Sequence, residues 1–171
     1  MNARSESKLG AAKERTTVER TSDREVVVTR TINGPARIVF EAFTKPELFK
    51  RWWVPKSMGM TLLSCEIDAR VGGKYRLVFD NDPEPVAFFG TYVEVQPNSR
   101  LAWTNEESGE GGSVTTVTFE EKGGKTLLVL TESHASKEAL DAAGTGAAEA
   151  MIETFDQLDE LLAALGESSG Q

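Results

Sequence analysis

The chain has 171 residues, of which 39% are hydrophobic, and its aromatic residues are eight Phe, three Trp and two Tyr. This is enough apolar material to bury a core, and it excludes a chain that is disordered throughout. A net charge of −8 disfavours attraction to nucleic-acid phosphates and to anionic lipids, so we predict no nucleic-acid partner and no membrane partner.

The chain contains one cysteine, Cys65, and one histidine, His134, which lie far apart in the sequence. A single cysteine cannot form an internal disulfide, and the sequence has neither a membrane-spanning apolar run nor a signal-peptide core. We therefore predict a cytoplasmic protein. One thiol and one imidazole leave a zinc-type site short of ligands, so we predict no metal and no cofactor.

The two ends of the chain have the composition of solvated segments. Residues 1–22 hold few sizeable apolar side chains, and we predict a disordered extension there, with Thr17 to Thr21 able to add to the edge of the first strand. The domain is predicted to span residues 23–166. The Ser-Ser-Gly sequence after Gly166 predicts a flexible tail at residues 167–171.

The domain begins with a predicted strand, the β-branched run EVVVTRTI at residues 25–32, which ends at an Asn-Gly-Pro turn. Val39, Phe40 and Phe43 then share one helical face, and Pro46 opens a second short helix that runs into two Trp residues. This segment therefore predicts one strand followed by two short helices.

A series of strands follows, separated by turns rich in Gly, Asn and Pro. The predicted strands are residues 60–68, 73–80, 86–96, 100–105, 113–121 and 125–133. Because the spacing leaves no room for crossover helices, the strands are predicted to pair in an antiparallel meander.

The last segment has a helical period. From about residue 146, apolar residues recur at spacings of three and four, which places Met151, Phe155, Leu158, Leu162 and Leu165 on one stripe of a long helix. A seven-stranded sheet with one apolar face needs a cover, and this helix carries the only stripe large enough. We predict an α+β fold, in which a curved seven-stranded antiparallel sheet wraps around the C-terminal helix and leaves a cavity between them.

Several segments carry a family resemblance when they are taken in order. They are residues 29–48 (TRTINGPARIVFEAFTKPEL), 51–55 (RWWVP), 66–73 (EIDARVGG), 90–97 (GTYVEVQP), 100–104 (RLAWT) and 155–162 (FDQLDELL). From about Arg24 to Leu165 the chain resembles the Hsp90-ATPase-activator-like (AHSA1-type) family of the START-like, or SRPBCC, superfamily, in its single-domain bacterial form. The resemblance implies a helix-grip fold in the order β-α-α-β6-α, with a cavity between the sheet and the final helix.

Two features differ from the family pattern. Val54 stands where the family usually has Gly in a Trp-Trp-Gly-Pro sequence. The 22 residues before the domain are also much shorter than the separate amino-terminal domain with which the eukaryotic co-chaperones contact Hsp90. What the resemblance transfers is therefore the fold and the cavity, and we do not expect a chaperone partner.

The adjacent Trp52 and Trp53 point about 100° apart on a helix, so they cannot face the core equally. We expect one to pack in the core and the other to line an entrance, with plain packing of both as the alternative. On the last strand, Glu132 and His134 are in phase with Leu128 and Leu130.

A carboxylate and an imidazole that face an apolar cavity are candidates for acid-base chemistry or for orienting a ligand. Two alternatives stay open. Both groups can lie at a frayed, hydrated strand end, or Glu132 can pair with Arg70 or another base in a structural role only.

We predict that the cavity binds a small hydrophobic or amphipathic molecule, in a stress-response or regulatory role, and we predict no catalytic residue. The residues predicted to line it are Trp52, Trp53, Tyr75, Leu77, Phe79, Phe89, Trp103, Leu128, Leu130, Glu132, His134, Met151 and Phe155.

Two other functions stay open, an Hsp90-type co-chaperone or protein-interaction module, and a cyclase- or hydrolase-like enzyme that uses the cavity Glu or His. An enclosed void against Glu132 or His134 favours the enzyme, a dry apolar void favours a carrier, and a broad exposed apolar patch favours the co-chaperone. The exposed outer face of the sheet is compatible with a homodimer.

Overall fold

The computed structural model describes residues 16–106, 112–144 and 146–169. Its strands are β1 Thr17–Arg20, β2 Glu25–Ile32, β3 Leu62–Ile67, β4 Lys74–Phe79, β5 Val86–Gln96, β6 Arg100–Thr104, β7 Val114–Lys122 and β8 Lys125–Ser133. Its helices are α1 Ala36–Thr44, α2 Pro46–Phe49, α3 Lys137–Ala143 and α4 Gly146–Ser169, with a 3-10 turn at Lys56–Met58.

Within the described residues, eight strands form one sheet in the order β1-β2-β8-β7-β6-β5-β4-β3. Every neighbouring pair is antiparallel. The helices α1 and α2 carry the chain from β2, near one edge, to β3 at the opposite edge. The later strands then return across the sheet as neighbours, because their short connections allow only antiparallel pairing. The sheet and its C-terminal helix give the predicted α+β helix-grip fold.

The sheet has one strand more than the seven predicted. β1 lies in the segment predicted to be a solvated extension, and it pairs with β2 in a register that sets Val18 opposite Val28. Pairing along an open strand edge satisfies backbone groups without burying apolar side chains, so a segment poor in apolar residues can form such a strand. The seven predicted strands lie within two residues of the observed ones at each end.

A short helix, α3, lies between β8 and α4, where the sequence analysis predicts none. The Ser136 hydroxyl caps its start by accepting a hydrogen bond from the backbone N–H of Ala139 at 3.0 Å. Gly144 ends the helix with a φ of 73°, a conformation that favours glycine. These capping residues are a signal that the sequence carries, although the helix itself has only seven residues.

The long helix α4 lies on the core face of the sheet through the predicted stripe. Phe155 and Leu158 are fully buried, and Met151 and Leu162 are nearly so, which confirms the stripe. The helix continues past Gly166 to Ser169, because one glycine costs a helix only about 1 kcal/mol. In the described parts of the chain, no helix is both long enough and apolar enough to cross a membrane.

Alternate residues of β2 face the core, and one of them is an arginine. The Arg30 side chain is 1% exposed. Its Nη1 donates a hydrogen bond to Asp156 Oδ1 at 2.8 Å, and its Nη2 donates one to Asp159 Oδ2 at 2.5 Å. Asp159 also accepts a hydrogen bond from the backbone N–H of Asn33. These contacts attach α4 to the strand beneath it.

Candidate ligand-binding cavity

A cavity of about 720 Å³ lies between the sheet and the first part of α4. Small side chains of the helices face it, among them Ala150 on α4 and Ala139 and Ala143 on α3. Further along α4, Phe155 and Leu158 belong to the closed core. The same helix therefore fills one part of the core face of the sheet and leaves space over the other part.

The structure places nine of the predicted lining residues at the cavity. They are Trp53, Tyr75, Leu77, Phe79, Trp103, Leu130, Glu132, His134 and Met151. Strand alternation explains most of this set, because residues two apart on β4 and on β8 share a face of the sheet. The phase that brings Glu132 and His134 to the cavity is the one predicted from Leu130.

Three predicted lining residues, Trp52, Leu128 and Phe155, lie instead in the closed core and are fully buried. The Trp52 ring stacks on Phe155 with the ring centroids 6.2 Å apart, and its Nε1 donates a hydrogen bond to the Ala42 carbonyl at 2.9 Å. These three side chains fill the space under the middle of α4. Of the two Trp residues, one therefore packs and the other, Trp53, lines the cavity.

A fourth predicted lining residue, Phe89, lies on the outer face of the sheet. On β5, Phe89 stands opposite Arg76, whereas Phe88 stands opposite Leu77 and lines the cavity. Adjacent residues on a strand point to opposite faces of the sheet. Because both residues here are Phe, their identity alone does not show which one faces the cavity. The spacing of four residues from Phe88 to Tyr92, which also lines the cavity, is the signal that favours Phe88.

One wall of the cavity was missed by the sequence reasoning because it is irregular. It follows α2 and includes Val54, Pro55, Met58 and Met60, which we call the loop wall. Met58 and Met60 are exposed, so they lie at the mouth of the cavity. Irregular chain has no period from which a face can be predicted, so only the fold brings these residues to the site.

Gln157 on α4 holds the loop wall in place. Its Nε2 donates hydrogen bonds to the carbonyls of Trp52 and Val54, each at 2.9 Å, and its Oε1 accepts one from the N–H of Lys56 at 2.9 Å. One turn earlier, Glu153 accepts hydrogen bonds from the N–H and hydroxyl of Ser57. The loop wall is thus positioned by polar contacts to the helix rather than by regular backbone pairing.

We expect Gln157→Leu to free the loop wall. The variant loses the three hydrogen bonds between the Gln157 side chain and the backbone of the loop wall. We expect a stability loss of about 2 kcal/mol. The Lys56 amide hydrogen should exchange at least about tenfold faster. Hydrogen exchange followed by mass spectrometry measures the effect. Glu160→Leu, at an exposed position of the same helix, is the matched control. Equal exchange of the Lys56 amide in both variants would contradict the assignment.

The polar residues at one end of the cavity satisfy one another. The Asn105 Nδ2 donates hydrogen bonds to Ser113 Oγ and to Thr115 Oγ1, both at 2.9 Å. The Tyr75 hydroxyl lies 3.0 Å from Asn105 Oδ1 and 3.0 Å from the Thr104 carbonyl. The hydrogen-bonding capacity of the Asn105 amide is therefore used within the protein, and this residue shapes the wall.

Glu132 and His134 differ from this self-satisfied group. The Glu132 Oε1 lies 3.5 Å from the His134 Nε2, and the two side chains are 21% and 9% exposed. Among the described residues, no group makes a hydrogen bond to the buried His134 Nε2. Both side chains are largely shielded from solvent, and Arg70 pairs with Asp68.

Burial shifts the pKa of two further groups in this region, the Tyr92 phenol and the Cys65 thiol. Burial, aided by charges at Cys65 and Asp68, raises the pKa of the Tyr92 phenol above its ordinary value, so this group stays a neutral hydroxyl. Burial likewise raises the pKa of the Cys65 thiol to about 11. Across the described residues, no three His, Cys, Asp or Glu side chains come close enough together to hold a metal ion.

Solved structures of bacterial proteins have the same fold. A protein from Rhodobacter sphaeroides is 24% identical, with a TM-score of 0.77 over 88% of this chain and 99% of that chain. The Ms6760 protein of Mycobacterium smegmatis is 24% identical, with a TM-score of 0.73 over 88% and 99%. The CV1439 protein of Chromobacterium violaceum is 25% identical, with a TM-score of 0.70 over 82% and 97%.

A comparison with curated proteins gave no match. The protein-family comparison matches residues 33–163 to the family described as activator of Hsp90 ATPase homolog 1-like protein. The matched region begins after β2 and includes most of α4, so it contains both sides of the cavity. The chain belongs to the activator of Hsp90 ATPase homolog 1-like family.

Proposed function

We propose that this protein binds a small amphipathic molecule in the cavity between the sheet and α4. The observation that carries the proposal is the cavity itself, whose volume of about 720 Å³ falls in the range of roughly 300–1,000 Å³ that is usual for small-molecule sites. Its walls are mostly aromatic and aliphatic, and its carboxylate side chain, Glu132, lies beside His134 and opposite Thr115, within the polar part of the lining. A ligand with an apolar body and a polar head group matches these apolar walls and the polar group of Glu132 and His134.

The exposed apolar residues favour this proposal over a protein-docking role. On the outer face, Phe89 shares a shallow depression with Glu66, Lys74 and Arg76, so charged side chains interrupt the apolar surface there. A docking surface for a chaperone needs a broader continuous apolar patch. The proposal therefore concerns the cavity, and it includes neither Hsp90 binding nor a homodimer.

A blocking variant tests the proposal. The probe is Nile red, an uncharged dye whose fluorescence rises in apolar surroundings. We expect saturable binding to the wild-type protein, and Ala150→Phe should weaken it about tenfold, because the new ring occupies space in which the dye buries apolar surface. Native mass spectrometry of freshly expressed protein should in addition show a bound small molecule.

The control is Ala163→Phe, which adds the same ring to the same helix at an exposed position. This variant should bind Nile red as the wild type does. If the dye does not bind the wild type, or if both variants bind it equally well, the cavity is not the binding site and the proposal fails.

A second function is favoured by the pair of Glu132 and His134. A carboxylate 3.5 Å from an imidazole, at the wall of a mainly apolar cavity, is an arrangement that can move a proton to or from a bound molecule. The test is to incubate any co-purified molecule with wild-type protein and with Glu132→Gln, and to compare the masses by liquid chromatography and mass spectrometry. A product formed only by the wild type would favour an enzyme.

A further inference from the structure

We infer that the ligand carries a basic nitrogen, as a primary or secondary ammonium group, which binds between Glu132 and His134 while an apolar body fills the rest of the cavity. This inference rests on the proposed function and adds the chemical class of the ligand.

Apart from the titratable His134, the cavity wall carries charge of one sign. Among the described residues that line it, Glu132 is the acid, and neither Lys nor Arg is present. A carboxylate or phosphate head would meet Glu132 without a fixed cationic partner, and the cost of desolvating it would not be recovered. An ammonium head instead finds its counter-ion already in place, in surroundings that strengthen the attraction.

The neighbouring polar groups do not satisfy Glu132. The Asn105 amide is occupied by hydrogen bonds with Ser113, Thr115 and Tyr75. Among the described residues, the hydrogen bonds of this polar group do not reach the Glu132 carboxylate, whose ion-pair contact is with His134 Nε2 at 3.5 Å. The carboxylate therefore keeps its acceptor capacity for a donor that comes with the ligand.

The His134 Nε2 is the second observation. The side chain is 9% exposed, and its Nε2 is buried without a hydrogen bond in the described structure. Buried polar atoms normally have partners, so an orphaned nitrogen at a cavity wall indicates a group that is supplied on binding. In the neutral imidazole tautomer that carries its hydrogen on Nδ1, Nε2 is an acceptor, and an ammonium group has N–H donors for both this nitrogen and the carboxylate, whose facing atoms are 3.5 Å apart.

The rest of the wall favours an apolar body. Leu77, Phe79 and Phe88 line the cavity on the side of β4 and β5, and Met58 and Met60 lie at its mouth. Methionine side chains adapt to different shapes at low cost, which suits an entrance. The distribution fits an amine on an aliphatic or aromatic body better than a small polar amine such as ethanolamine.

A matched series of ligands tests the inference with the full-length protein. Decylamine, decanol and decanoate share one chain and differ in the head, and isothermal titration calorimetry below their aggregation concentrations gives each Kd. We expect decylamine to bind about tenfold more tightly than decanol, because a hydrogen bond to a charged group contributes more than a neutral one, and decanoate to bind most weakly. Glu132→Gln should reduce the preference for the amine over the alcohol to less than about threefold.

Glu120→Gln is the control, since it removes the same charge from an exposed position at the other end of the sheet. It should keep the full preference, which separates a local ion pair from general attraction to an acidic protein. Equal Kd values for the three compounds, or tightest binding of decanol or decanoate, would overturn the inference while the cavity proposal stands. If none of the three binds and Nile red also fails, the proposed function itself is wrong. The order of the three Kd values for the wild-type protein tests the inference even if a variant does not fold.

Discussion

Replacing Arg30 with methionine should lower the free energy of unfolding by about 3 kcal/mol. Arg30 is almost completely buried under α4, where its guanidinium contacts Asp156 and Asp159. The substitution leaves two carboxylates close together without their shared cation. Since the carboxylates are 29% and 20% exposed, water compensates in part, and the expected loss lies at the lower end for a broken buried ion pair.

Urea unfolding followed by circular dichroism measures this loss. The matched control is Arg100→Met, which breaks a half-exposed pair with Glu94 on the same sheet and should cost less than about 1 kcal/mol. Adding Asp156→Asn and Asp159→Asn to Arg30→Met should restore part of the stability, because the two carboxylates that lost the Arg30 guanidinium are then neutral amides. Equal losses for the two Arg variants would contradict a central role for Arg30 in seating α4.

Replacing Phe155 with alanine should cost about 4 kcal/mol of stability. Phe155 is fully buried and stacks on Trp52, so its removal leaves a void in the closed core and takes away an aromatic contact. The sequence places Phe155 in the predicted cavity wall, where truncation would chiefly enlarge the ligand site. In the structure Phe155 is a packing residue. The main expected effect of truncating it is therefore a loss of stability and not a change in ligand binding.

Met151→Ala is the comparison for Phe155→Ala. Met151 lies one turn earlier on the same helix and lines the cavity, so truncation there adds to a space that already exists. We expect a loss of about 2 kcal/mol, together with a changed Kd for Nile red. A smaller stability loss for Phe155→Ala than for Met151→Ala would show that the closed core and the cavity have been assigned to the wrong ends of α4.

The candidate site was predictable where its residues follow a local period. Glu132 and His134 come to the cavity because side chains on a strand alternate, and Leu130 sets the phase. Alternation by itself does not choose between the adjacent Phe88 and Phe89. They point to opposite faces of the sheet, and both are apolar. The spacing to Tyr92 favours Phe88, and the pairing of β5 with β4 places Phe88 at the cavity and Phe89 on the outer face.

By itself the sequence determined the order of the elements other than β1 and α3, the antiparallel connections and the buried stripe of α4. These depend on turn residues and on periods of two and 3.6 residues, which are local properties. The tertiary structure alone decided which part of the interface between sheet and helix is filled. Leu128 and Leu130 have the same pattern, yet Leu128 lies in the closed core and Leu130 lines the cavity.

The physical reason is that a void depends on side chains brought together from distant parts of the chain. The closed core forms where Trp52 and Phe155, 103 positions apart by number, stack beneath α4, and the cavity remains where Ala150 and Ala139 face the sheet. Arg30 likewise finds its carboxylates 126 and 129 positions away. Such partners are set by packing and not by spacing, so the sequence predicted a cavity and part of its lining, and the fold located the remaining walls.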